Sequence, residues 1–336
     1  MSSLEAVLRY DSAVVMRGRR DGEPQPCAIQ PRDLEIVDGV RRHKFLTSPQ
    51  LLEIWWPGRA PQVGRRRLTR LFEAGLLDRF RPVASRGSFP WTYQLGREGH
   101  RMLQDAGLVP RGKRFEVQTV YDYRYVLHEL HLNAWVLAWR RLLGPNLVTW
   151  TGETLIDPPS GLGKPPLYVG GDVTVDDLKD TQAKPLRPDD VIEVARDDGS
   201  LRTLFIEYDR TRRGGQELRE VPSLRRVLCW WWRWTSYGSD SEPPVVIFVC
   251  QDIEHCELFL QAADHELAGH HWRPSETAAP EHFIGRRKIV FATEADMHGG
   301  DAVAYRVPAY PPGNLRRDDE DALFRRGRLL GRIDQA

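Results

Sequence analysis

Apolar residues recur at helical spacing after Ser48-Pro49-Gln50. Serine serves there as an N-cap and proline as the first helical residue, and Leu51, Leu52, Ile54 and Trp55 supply the stripe. Pro57-Gly58 ends that helix. A second helix is predicted from about Pro61 to Ala74, with Val63, Leu68, Leu71 and Phe72 on its inner face. Gly75 stands where a left-handed C-terminal cap is wanted. The period then changes. Leu76 to Arg81 reads as a short strand, Pro82 to Pro90 as a tip containing Arg86 and Gly87, and Trp91 to Leu95 as the returning strand. A further helix runs from about Arg97 to Ala106 and stops at Gly107.

Leu108 to Val120 is polar and basic and reads as a linker. A long helix follows from about Tyr123 to Leu143, with Leu127, Leu130, Ala134, Leu137 and Ala138 on its stripe. His128, Glu129 and His131 lie near its start, and Gly144-Pro145 closes it. Val148-Thr149-Trp150 opens a strand. Asp157 to Gly171 is a Pro- and Gly-rich loop, and Asp172 to Lys184 a polar insertion. Arg187-Pro188-Asp189-Asp190 leads into a strand at Val191 to Val194, and Asp197 to Ser200 turns the chain into the partner strand Leu201 to Asp209. A helix is expected from about Val221 to Trp234, an apolar strand at Val245 to Val249, and a charged amphipathic helix from Leu315 to Ile333.

Length and composition narrow the class. A chain of 336 residues with 41% hydrophobic and 28% charged residues is a soluble protein of about two domains. No stretch has the ~18 uncharged apolar residues of a membrane span, and the polar N-terminus lacks a signal-peptide pattern, so the cytoplasm is the expected location. The four cysteines, Cys27, Cys229, Cys250 and Cys256, show no CxxC spacing and are expected as reduced thiols.

Charge changes the picture more. The net charge of +1 hides a basic segment: residues 41–114 hold 16 Lys and Arg against 5 Asp and Glu, whereas residues 1–40 hold 5 against 7. Residues 115–336 are net acidic. The basic segment coincides with the helix, turn, arginine-bearing helix and hairpin described above. That order is the plan of a winged helix-turn-helix, in which the second helix enters the major groove of duplex DNA. Arg65, Arg66, Arg67 and Arg70 on that helix, and Arg86 at the hairpin tip, are the candidate DNA-binding residues, because a guanidinium pairs with phosphates and with guanine edges.

The second half carries acids. Period-two alternation puts Glu207 and Asp209 on one side of their strand, and the hairpin brings Asp189 beside them. Three gathered carboxylates suit Mg²⁺ or Mn²⁺, and metal-assisted phosphodiester hydrolysis needs such a group. Other patterns are weaker. In His265-Glu266-Leu267-Ala268-Gly269-His270 a glycine occupies the position of the second zincin histidine. Gly161-Leu162-Gly163-Lys164 lacks phosphate-loop spacing. Cys250, Asp252, His255 and Cys256 are close in sequence but read as core thiols before a zinc site. Trp230, Trp231, Trp232 and Trp234 crowd one helix and suit packing against another domain or subunit.

TYQLGREG at the end of the hairpin, HELHLNAW on the long helix, RPDD before a strand, FIEYDRTRRG and PPVVIFVC together resemble the replication-relaxation family of winged-helix proteins, over roughly residues 40–300. That resemblance implies DNA binding tied to replication or maintenance of plasmids and mobile elements. The second half also resembles the PD-(D/E)xK core of restriction-endonuclease-like folds. Pro188-Asp189 corresponds to PD and Glu207-Tyr208-Asp209 to (D/E)xK, with Asp209 where the lysine would stand. In that reading Asp189, Glu207 and Asp209 are metal ligands, and Arg225 or Arg226 from the next helix stabilises negative charge, since arginine stays protonated.

The expected fold is therefore α+β: an N-terminal extension over residues 1–40, a winged helix over 41–107, a linker over 108–120, an endonuclease-like α/β domain over 121–310 and a charged helix over 311–336. The expected function is duplex DNA binding coupled to a nuclease-like domain, a metal-dependent endonuclease using Mg²⁺ or Mn²⁺ if its acids are active. The alternative is a non-catalytic replication or transcription regulator whose second domain dimerises or recruits a replication or mobile-element protein. A third reading makes the winged helix an adaptor for protein contacts.

Overall fold

The computed structural model describes residues 15–20, 22–83, 89–116, 123–152, 188–196, 199–209, 245–259, 289–298, 304–305 and 327–328. The chain divides into two compact units. Unit 1 comprises residues 1–137 and 151–155, and unit 2 comprises residues 138–150 and 156–336.

Unit 1 contains β1 (Val15–Arg17), α1 (Pro31–Arg42), β2 (Leu46–Thr47), α2 (Ser48–Trp55), α3 (Pro61–Glu73), β3 (Leu77–Pro82), β4 (Thr92–Leu95), α4 (Arg97–Asp105) and the first part of α5 (Tyr123–Leu143). Its strands form one sheet in the order β1-β3-β4-β2, and every pair is antiparallel. Helix α2 begins as the Pro49 signal predicts, but its N-cap is Thr47, one residue before the expected Ser48. Thr47 accepts from the Gln50 amide, and the Gln50 side chain accepts from the Thr47 amide at 2.8 Å. Ser48 instead donates its hydroxyl to the Trp91 carbonyl at 3.0 Å.

On α3, Leu68, Leu71 and Phe72 are buried as expected. Val63 is not: it is 55% exposed, and Gly64 takes the inner position. The i, i+4, i+7, i+8 series from Gly64 is the stripe that faces the core. A Cβ there would collide with Leu52 of α2 and lie 2.9 Å from the ring of Trp56, which caps α2, so the glycine lets the two helices approach.

Two expected boundaries move. Residue 40 falls inside α1, which starts at Pro31, buries Ile36, Val37 and Val40, and contacts β4 and α4. Those residues belong to the same core as the hairpin. The second boundary was placed at 108–120, but α5 as far as Leu137 lies in unit 1. Val126, Leu127 and Leu130 pack with Phe45, Phe80 and Phe89, and Asn133 donates to the Phe45 carbonyl at 2.8 Å. Gln50 of α2 donates to the Leu130 carbonyl at 3.1 Å. Residues 130–137 are all buried, so this stretch is a buried helix without a solvent face.

The turn between α1 and β2 is tight. Lys44 has φ 54°, rare for a residue with a side chain, and its ammonium pairs with Glu129 at 3.0 Å. Burial of Glu129 opposes its ionisation, but the hydrogen bond from His128 and the Lys44 charge outweigh it and lower its pKa. Burial, with the Arg42 charge beside it, lowers the His43 pKa to about 3 and keeps the ring neutral.

Unit 2 is built on a five-stranded sheet in the order β5-β6-β7-β8-β9, with β5 at Leu147–Gly152, β6 at Asp190–Ala195, β7 at Leu201–Asp209, β8 at Val245–Cys250 and β9 at Ile289–Thr293. Strands β6 and β7 form an antiparallel hairpin, while β7, β8 and β9 run parallel. Gly199 turns the hairpin at φ 81°. Every residue of β8 is buried, as a central parallel strand requires. Residues 253–259 are helical, and Phe259 packs on Phe248 and Phe291. A short helix, α6 (Glu294–His298), follows β9, and β10 (Ala304–Tyr305) pairs antiparallel with β11 (Gly327–Arg328). That last pairing corrects the expected helix over 315–333: residues 327 and 328 are extended because their backbone bonds to β10. The remainder of that segment, and the expected helix at 221–234 with its four tryptophans, lie outside the described residues.

Candidate nucleic-acid interface and acidic strand end

The α3 arginines separate by the direction each one faces. Arg65, Arg66 and Arg70 are exposed, and among the described residues none has a carboxylate partner. Arg67 differs from the expectation. It turns inward, donates Nε to Asp33 at 2.8 Å, pairs with the same carboxylate through Nη2, and donates to the Ala28 carbonyl at 2.7 Å. The Asp33 bond raises the Arg67 pKa, so the cation is locked in place. Its charge is paired within the fold. Arg86 lies outside the described residues.

Four other arginines of unit 1 are likewise committed. Arg20 pairs with Asp78, Arg41 and Arg42 with Asp38, and Arg101 with Glu98. Arg79 and Arg81 on β3 have no carboxylate partner among the described residues, although the Arg79 side chain hydrogen-bonds the buried Tyr93. Their guanidiniums lie over aromatic rings, Arg79 at 4.1 Å from the Phe72 centroid and 4.6 Å from Trp91, and Arg81 at 4.5 Å from Trp91. The sequence reading singled out neither. Their signal was present as two arginines at strand spacing opposite a return strand that opens with tryptophan.

In unit 2 the hairpin register pairs Asp190 with Ile206, which sets Asp189 beside Glu207 at the end of β7. The Asp189 amide donates to the Ile206 carbonyl at 2.9 Å, and its Oδ2 accepts from the Tyr208 amide at 2.8 Å. Ile206 and Tyr208 are buried and Glu207 and Asp209 half-buried, which is the predicted alternation. Two further acids are held by side-chain hydrogen bonds in unit 2. Asp190 is 1% exposed and accepts from Trp150 Nε1 at 2.8 Å, and Glu294 accepts the Tyr208 hydroxyl. Asp209 pairs in register with Cys250. A hydrogen bond to Cys256, then burial, push the Cys250 thiol well up, and the Asp209 and Asp252 charges add to this. Cys27, Cys250 and Cys256 carry no disulfide.

The oxygen chemistry of Asp189, Glu207 and Asp209 suits Mg²⁺ or Mn²⁺. Among the described residues no group of three or more His, Cys, Asp or Glu side chains could hold a metal ion, and one Asp189 oxygen is engaged by the backbone. Arg225 and Arg226 lie outside the described residues. Among those residues no helix is long and apolar enough to cross a membrane.

A family model described as replication-relaxation matches residues 38–221, more than half of the 336 residues. No curated protein and no solved structure matches the chain.

Proposed function

The chain belongs to the replication-relaxation family, and from that membership we propose that it binds duplex DNA through a winged helix in unit 1, in the replication or maintenance of a plasmid or other mobile element. The order α1, β2, α2, α3, β3, β4 supports this reading, since it is the winged-helix order of elements. The observation that carries it is the exposure of Arg65, Arg66 and Arg70 on α3 without any described carboxylate to neutralise them. Arginines so placed release counterions when they meet phosphates.

Arg66→Ala combined with Arg70→Ala is expected to lower the slope of log affinity against log salt by about 2 and to weaken binding roughly 100-fold near 0.1 M salt. Thermal stability should be unchanged, since both side chains are exposed. Fluorescence anisotropy with a random-sequence duplex measures the first effect. An unchanged slope would remove α3 from the interface and favour an adaptor for protein contacts.

A second reading, metal-dependent DNA cleavage by unit 2, is supported by one observation. An antiparallel β6-β7 hairpin followed by the parallel strand β8, with Asp189 beside Glu207, resembles the restriction-endonuclease-like core. Asp209 in the lysine position counts against catalysis, so a non-catalytic scaffold that dimerises or recruits a replication protein is the favoured role. Incubation of supercoiled DNA with Mg²⁺ or Mn²⁺ is expected to give a mobility shift without nicking, for the natural protein and Glu207→Ala alike. Nicking that disappears in Glu207→Ala would establish the cleavage reading instead.

A further inference from the structure

Arg79 and Arg81 alternate with Phe80 along β3, so their side chains leave one face of the strand. Gly18 lies against Arg79: its amide donates to the Arg79 carbonyl at 2.9 Å, and a Cβ there would stand 2.8 Å from Arg79 Cγ. The bare glycine leaves the channel through which Arg79 reaches Phe72. A row results in which Arg79 lies over both Phe72 and Trp91, and Arg81 over Trp91. Arg20 also lies over Phe72, at 4.8 Å, but its charge is taken by Asp78.

An aromatic face orients a guanidinium without cancelling its charge, and leaves the in-plane N–H groups to an acceptor. Neither Arg79 nor Arg81 has a carboxylate partner among the described residues; Arg79 is anchored by Tyr93 and its Nε is buried, so only its remaining terminal N–H groups and the Arg81 fork are offered outward. Arg81 and Trp91 are partly exposed. The two arginines stand about 7 Å apart along the strand, enough for each fork to meet a different phosphate.

We propose that Arg79 and Arg81, held on Trp91, form a second phosphate-binding strip for duplex DNA, distinct from the α3 arginines and from the hairpin tip. The proposal rests on the reading of unit 1 as a duplex-binding module. The strip grips the sugar-phosphate backbone, so it contributes affinity that does not depend on base sequence.

The test compares the natural protein, Arg81→Gln and the Arg66→Ala/Arg70→Ala protein on two unrelated duplexes across a salt series. Arg81→Gln is expected to reduce the salt slope by about 0.9 and affinity roughly tenfold near 0.1 M salt, equally on both duplexes. Arg81→Lys should keep the slope, since it keeps the charge. In the natural protein phenylglyoxal should modify Arg81, and saturating duplex should protect it, as read by mass spectrometry. Protection needs no variant and decides the matter even if Arg81→Gln fails to fold. An unchanged Arg81→Gln slope beside a weakened α3 variant, or modification indifferent to duplex, overturns the strip and leaves the parent reading standing. Absence of duplex binding by the natural protein overturns both. Stronger protection of Arg81 by a single-stranded oligonucleotide than by duplex overturns the duplex assignment.

Discussion

Asp33→Ala is expected to destabilise unit 1 by about 3 kcal/mol, the lower end of what removal of one partner from a buried ion pair costs. The Asp33 side chain is 1% exposed and that of Arg67 12%. Asp33 accepts Nε and Nη2 of Arg67 and, through Oδ2, the Gln30 amide at 2.6 Å. The variant therefore leaves a cation without its carboxylate and opens the first turn of α1 at once. Arg67 can still donate to the Ala28 carbonyl and turn partly toward solvent, which keeps the effect at that lower end. Urea unfolding should show a shifted midpoint at unchanged slope. Arg67→Ala should be comparably destabilising, whereas Arg66→Ala, one position away on an exposed face, should leave stability within about 0.5 kcal/mol and lose DNA affinity. A stable Arg67→Ala protein with impaired DNA binding would return Arg67 to the interface.

Gly99→Ala is expected to cost about 3 kcal/mol, the upper end for overpacking. A Cβ on Gly99 would overlap the Leu76 carbonyl oxygen and stand 2.9 Å from Val37 Cγ1. The obstacle is backbone and cannot turn away. It is held where it is, because Leu76 accepts from the Gly96 amide at 2.9 Å and Gly75 occupies φ 72°. Gly96 faces the Gly75 carbonyl in the same way, so the two glycines of TYQLGREG record one close crossing of α4 over the turn after α3. Gly112→Ala is the control: nothing lies within 4 Å of its added Cβ and its φ is not left-handed. Its unfolding midpoint should match that of the natural protein. A tolerated Gly99→Ala would mean that α4 can lift from the turn.

Local patterns were legible where one face of an element decides its burial. Pro49 placed the start of α2 to within one residue of its Thr47 cap, and the short strand, tip and return strand read between Leu76 and Leu95 matched β3 and β4. Leu201–Asp209 was readable to the residue because its apolar run ends where two acids flank a buried tyrosine. Where burial depends on a remote neighbour the reading slipped. Val63 and Gly64 exchanged roles because α2 crosses at Gly64, and a glycine carries no hydropathy by which to mark a contact. Helix α1 looked like a polar extension because Asp33 and Asp38 interrupt its stripe, yet both are buried with arginine partners.

The candidate sites divide along the same line. The chain by itself determined the membership of unit 1 in a basic, hairpin-bearing class, the arginine-rich character of α3, and the meeting of Asp189 with Glu207. Each follows from spacing within one element or one hairpin, where covalent connection fixes the geometry. Only the tertiary structure decided which arginines remain charged toward solvent. Arg66 and Arg67 are one residue and about 100° apart on a helix. What separates their roles is a carboxylate 34 positions earlier in the chain. Arg79 and Arg81 gain theirs from Phe72 and Trp91, on other elements. A charge is spent or kept according to what lies within a few ångströms of it, and packing, not period, sets that distance.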